Sequence, residues 1–129
     1  MDAAAPHILA VDDSPEVLGV FRLLLEEEGY RVSTLATRFV DSEGVRDLRP
    51  DLVILDYLWG SQGDGLAMVE LLRADQATAG TPIVLCTGAK REVEALGDGL
   101  GRLGVSVVLK PFDIDELLGV VGRGVGRAA

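Results

Sequence analysis

Five polar side chains stand at the ends of short aliphatic runs. Asp12 and Asp13 follow His7-Ile-Leu-Ala-Val11, Asp56 follows Leu52-Val-Ile-Leu55, Thr87 follows Ile83-Val-Leu-Cys86, and Lys110 follows Val105-Ser-Val-Val-Leu109. Three carboxylates brought together repel by about 4 kcal/mol per pair at ~4 Å for an effective dielectric of ~20, so such a group needs a cation among its members. Hard oxygen donors without Cys or His suit Mg²⁺, with Mn²⁺ as the alternative. A divalent cation beside an ionised aspartate is the equipment of phosphoryl transfer. The carboxylate attacks phosphorus to give an acyl phosphate, while a hydroxyl and an ammonium hold the remaining oxygens. Thr87 and Lys110 are of the right types for those two roles. For Asp56 alone, a strand terminator or loop cap would be the plainer reading; the other four residues argue against it.

The elements that must position these residues are legible. His7–Val11 reads as a buried strand, and Ser14-Pro15-Glu16 supplies an N-cap, a first-turn proline and an acid. Val17, Leu18, Phe21, Leu24 and Leu25 then recur at helical spacing until Gly29. The unit repeats: a strand over Tyr30–Thr34 and a helix over Arg38–Leu48; a strand over Leu52–Leu55 and a helix opening at Asp64-Gly65; a strand over Pro82–Cys86 and a helix over Ala89–Leu103, loosened by Gly97, Gly99 and Gly101. A strand over Val105–Leu109 and a helix from Asp113 to about Val121 complete it. Five strands alternating with five helices predict an α/β fold with a parallel sheet covered on both faces. In such sheets the ligand site lies at the carboxyl ends of the strands, where all five polar residues fall.

Composition narrows the function. A chain of 129 residues fits one domain, and its formal net charge of −9 repels nucleic acid and anionic lipid alike. The single cysteine, Cys86, lies inside an apolar run and reads as a core residue in a reducing compartment. No signal peptide or membrane span is visible, so a cytoplasmic location is expected.

Asp12-Asp13, Asp56, Thr87 and Lys110-Pro111-Phe112, each after its own strand and in this order, resemble the receiver domain of two-component response regulators, the fold of the chemotaxis regulator. The resemblance runs from about His7 to Val121. It implies a flavodoxin-like, doubly wound five-stranded parallel sheet of order 2-1-3-4-5, with a flexible start (residues 1–6), a receiver domain (7–122) and a flexible tail (123–129). It further implies Asp56 as phosphoacceptor and Mg²⁺ bound by Asp13, Asp12, Asp56 and the backbone carbonyl of Leu58. Thr87 and Lys110 would contact the phosphoryl oxygens, and a cis peptide would precede Pro111. The expected partner is a sensor histidine kinase or histidine phosphotransfer protein. The resemblance leaves the oligomeric state open, with a homodimer through the fourth helix, fifth strand and fifth helix as one assembly it offers. The chain would be a phosphoacceptor with slow autodephosphorylation rather than an enzyme, because apolar Leu58 cannot orient an attacking water.

Some positions depart from the family pattern. Val107 occupies the place of an aromatic switch residue three before the lysine, and valine has no ring to swing. Gly88 replaces the usual alanine, Gly60 the usual proline, and Trp59 sits in a lengthened loop. These departures motivate an alternative, a pseudo-receiver that docks on partners without phosphorylation. A small aspartyl-phosphate phosphatase is disfavoured by Leu58, where a second acid would be required. The closing Gly122–Ala129 segment has no room for an output domain, so the chain reads as a stand-alone receiver or a piece of a larger protein.

Overall fold

A computed structural model describes residues 5–37, 41–55, 64–88, 90–95 and 99–126. The strands are β1 (His7–Asp12), β2 (Arg31–Ala36), β3 (Leu52–Leu55), β4 (Ile83–Thr87) and β5 (Val105–Leu109). The helices are α1 (Pro15–Glu27), α2 (Ser42–Leu48), α3 (Asp64–Ala74), α4 (Lys90–Ala95), α5 (Gly99–Arg102) and α6 (Ile114–Gly124). All pairings are parallel and the order is β2-β1-β3-β4-β5, as expected.

The aliphatic runs make this sheet because alternate residues point to opposite faces and both faces are covered. Leu9, Val11, Val53, Leu55, Ile83 and Leu85 pack with Val45 of α2, Met68, Val69 and Leu72 of α3 and Leu100 of α5. Their neighbours Ile8, Ala10, Leu52, Ile54, Val84, Cys86 and Val108 pack with Leu18, Phe21 and Leu25 of α1 and with Leu117 and Val121 of α6. Cys86 is buried inside the second layer and forms no disulfide. Closest approach is made by α6 at Gly124, where a Cβ would run into the Leu52 side chain.

Local signals act as read. Ser14 Oγ accepts the Val17 N–H at 3.3 Å, Pro15 opens α1, and Gly29 beyond its end adopts a left-handed φ of 89°. Asp113 caps α6 by accepting the Asp115 and Glu116 N–H groups. Several boundaries differ from expectation by a few residues, β4 among them at Ile83–Thr87. β2 lies one to two residues later, α2 begins at Ser42 behind an Asp41 cap, and α6 continues to Gly124. The helix expected over Ala89–Leu103 is two short helices, so the described residues contain six helices rather than five. Each glycine in a helix interior costs about 1 kcal/mol relative to alanine, and Gly99 and Gly101 both fall in α5. His7 is buried at the foot of β1, as the strand reading of His7–Val11 expects. Its Nε2 lies 2.7 Å from Ser33 Oγ, and its backbone N–H donates to Asp51 Oδ2 at 2.7 Å.

On the α2–α3 side, Asp75 accepts the Ala77 N–H at 2.9 Å and pairs with Arg46 at 3.3 Å. The Ala77 N–H, then Ser42, then the Arg46 charge hold its carboxyl below the usual carboxylate range. A depressed folded pKa contributes stability above the unfolded value, and that contribution is lost as pH falls through the folded one. Asp75→Asn is therefore expected to lower the urea midpoint at pH ~7, with the gap to wild type closing below the ordinary aspartate value of about 3.9. A gap of equal size at both ends of that range would refute the linkage.

Candidate functional site

β1 and β3 are adjacent although β2 lies between them in sequence, so the strand order reverses here and a crevice opens at their carboxyl ends. Asp12 is the last residue of β1, and the register pairs Val11 with Leu55. Asp12 is 3% exposed. Its Oδ1 accepts the Ser14 backbone N–H at 2.9 Å, an Asx-type turn that bends the chain from β1 into α1. Its Oδ2 accepts from Lys110 Nζ at 3.1 Å, across 98 residues of sequence. Asp13 is exposed.

Lys110 is positioned from both sides. Its backbone N–H donates to the Thr87 carbonyl at 2.8 Å, which ties the ends of β5 and β4 together. The Lys110–Pro111 peptide is cis, and Phe112 stacks on Phe21 of α1 with ring centroids 5.8 Å apart and planes at 15°. Thr87, at the end of β4, is fully buried. Thus Asp12, Thr87 and Lys110 meet at one edge, as their strand-end positions predict. Asp56 and Leu58, together with Trp59 and Gly60, lie outside the described residues. Ser14 and Phe21 were not singled out as site residues. The Asp-x-Ser spacing carried a signal for the first, whereas nothing in sequence pairs Phe21 with Phe112.

Among the described residues no group of three or more His, Cys, Asp or Glu side chains comes together as a metal site. Asp12 and Asp13 supply carboxylate oxygens of the kind a hard divalent cation takes. Beside the edge, Val17, Val20, Pro111 and Phe112 line an apolar cleft of about 300 Å³ that Lys110 borders.

Residues 8–122 match the response regulator receiver domain family. The chain belongs to this family. The receiver is 35% identical over 118 residues to the DNA-binding response regulator MtrA of Mycolicibacterium smegmatis, covering 92% of this chain and 50% of that protein. It is 30% identical to the DNA-binding dual master transcriptional regulator RpaA of Synechocystis, covering 88% of this chain and 46% of that one. The receiver thus spans about half the length of these relatives. Among solved structures it resembles the receiver domain of a Pseudomonas aeruginosa sensor histidine kinase with magnesium coordinated in the active-site cleft. That match has a TM-score of 0.78 and 26% identity, and covers 95% of this chain and 99% of the other. The N-terminal receiver domain of a Bacteroides fragilis response regulator aligns with a TM-score of 0.79 and 27% identity, covering 96% and 99%.

Val107 is partly buried against the α3 and α5 side of the core. A Cβ added at Gly88 would meet nothing within 4 Å, so sterics do not demand glycine there. Among the described residues no helix is long and apolar enough to cross a membrane.

Proposed function

We propose that the receiver accepts a phosphoryl group on Asp56 from the phosphohistidine of a sensor histidine kinase or phosphotransfer protein, in the cytoplasm. The observation that carries this reading is the Lys110–Asp12 pair at 3.1 Å, at the edge where β4 ends in Thr87. Asp12, Asp13, Asp56 and the Leu58 carbonyl would hold Mg²⁺. The cation supplies neutralising charge for the phosphoryl oxygens. A carboxylate oxygen of Asp56 attacks phosphorus, the P–N bond breaks, and the donor imidazole leaves with its electron pair. Lys110 exchanges its bond to Asp12 for one to a phosphoryl oxygen, and the Thr87 hydroxyl takes another. The apolar cleft along α1 offers the phosphodonor protein a surface next to this edge, with Val20 49% exposed. A docking module that works without phosphorylation would need no such convergence.

The phosphorylated state differs by the contacts made to the new anion, and its energy reaches the elements tied to Thr87 and Lys110. These include β1 and α1 through Asp12 and the Phe21–Phe112 stack, and β4 and β5 with, beyond them, the α4, β5 and α6 face, the proposed dimer surface. Val107 restricts the readout to backbone shifts and valine repacking. Leu58, being apolar, leaves hydrolysis slow.

Incubation with phosphoramidate and Mg²⁺ is expected to raise the intact mass by one phosphoryl group, and chelation of the metal to prevent it. Equal labelling with and without chelator would count against the metal-assisted mechanism; no labelling under either condition would count against the acceptor.

A further inference from the structure

At the opposite ends of β4 and β5 from the phosphoryl edge lies an open cleft of about 480 Å³, between the end of α3 and the turn that leads into β5. Two arginines line it, Arg73 in the last turn of α3 and Arg102 at the end of α5, with Gly80, Pro82 and Gly104 between them. Among the described residues no carboxylate belongs to the lining. In a chain of net charge −9 this concentrates positive potential in one concavity.

The two guanidinium groups are prepared differently. Arg73 is half-buried and held by backbone carbonyls alone. Its Nε donates to Leu103 at 2.6 Å, its Nη1 to Thr81 at 2.8 Å and more weakly to Thr78 at 3.5 Å, and its Nη2 to Gly104 at 3.4 Å. Carbonyl dipoles fix its orientation without neutralising its charge, and burial pulls its pKa below the usual arginine value. Arg102 is exposed and has no hydrogen bond or ion pair among the described residues. One cation is therefore rigid and lacks a counter-ion among the described residues, while its neighbour has all its donors to give. A planar fork with free donors suits bidentate contact with phosphate oxygens. A ligand with two adjacent negative charges satisfies both groups, whereas a single carboxylate satisfies one. The volume is in the range of small-molecule sites. Backbone access is open as well: Gly104 holds a left-handed φ of 72°, and a Cβ on Gly80 would meet nothing within 4 Å.

We infer that the Arg73–Arg102 cleft is a binding site for a small phosphoanion of the diphosphate class, separate from the phosphoryl-acceptor edge. The inference does not depend on phosphorylation of Asp56. The test is a titration of the ¹⁵N-labelled full chain with pyrophosphate, without Mg²⁺ and at constant ionic strength, followed by amide shifts. Saturable shifts at Gly80 and Gly104 with a Kd below about 1 mM are expected. Arg102→Ala should weaken binding about tenfold or more, and Arg102→Lys less than that. Gly80→Asp puts a carboxylate into open space within the cleft and should weaken it similarly without disturbing the fold. Shifts that rise linearly without saturation would overturn the inference, as would shifts confined to Gly88 and Lys110 at the other edge. Unchanged affinity in both Arg102→Ala and Gly80→Asp would also do so, and glutarate binding as tightly as pyrophosphate would refute the phosphoanion assignment.

Discussion

Asp56→Asn is expected to abolish phosphorylation by phosphoramidate and by any cognate kinase, with no change in intact mass under conditions that label wild type fully. The amide is nearly isosteric with the carboxylate but offers no ionised oxygen to attack phosphorus. Loss of activity through unfolding would be a trivial explanation, and electrostatics predicts the opposite. Asp12 and Asp13 bring two negative charges to the end of β1, and in the proposed site, removing a third carboxylate relieves like-charge repulsion. The thermal midpoint of Asp56→Asn should therefore equal or exceed that of wild type without Mg²⁺. Labelling that persists in the variant would move the acceptor to another side chain, with Asp12, Asp13 and the sole histidine, His7, as the residues to examine next.

Lys110→Met should act on both rate and stability. Removing the ammonium leaves the Oδ2 of a carboxylate that is almost entirely buried without its 3.1 Å partner, while Oδ1 keeps the Ser14 N–H. Fully buried pairs cost about 3–5 kcal/mol when one partner is removed, and exposed pairs well under 1. With the Lys110 side chain 24% exposed, a loss of about 2 kcal/mol in urea unfolding is expected. Added Mg²⁺ should recover part of it, because a cation that binds only the folded state stabilises by mass action. The phosphorylation rate should fall by about a hundredfold, the scale for loss of one group that stabilises developing transition-state charge. Lys110→Arg separates the two effects. It keeps the charge beside Asp12, and hence most of the stability, but its planar fork does not reproduce the reach of the ammonium. A Lys110→Met rate within about threefold of wild type would remove Lys110 from the phosphoryl-contacting role.

The relation between sequence and fold differs from element to element. β3 and β5 stand where their aliphatic runs lie. For β3 the reason is plain, since a run with no polar alternation is satisfied by a strand covered on both faces, whereas β5, at the sheet edge, exposes Ser106. The caps Ser14 and Asp113 likewise act within three residues of themselves, a range at which sequence and contact coincide. The helix over Ala89–Leu103 was harder to read. Its apolar spacing spans both α4 and α5, and how far the glycines divide it depends on packing against the core, which periodicity does not contain.

The candidate site divides in the same way. The shared edge of Asp12, Thr87 and Lys110 is legible in the sequence because a parallel sheet sends every strand's carboxyl end to one edge, so a polar residue after each aliphatic run has its address in the pattern. Which of them touch was decided by tertiary structure alone. The bond between Lys110 and Asp12 spans 98 residues, and the Phe21–Phe112 stack that holds the Lys110 loop joins α1 to the far end of the chain. Burial of His7 against Ser33 and the grip of four carbonyls on Arg73 are of the same kind. Short-range periodicity and capping determine the elements and their order, whereas the partners of a buried charge depend on which strands lie side by side, a property the chain acquires only when the sheet closes.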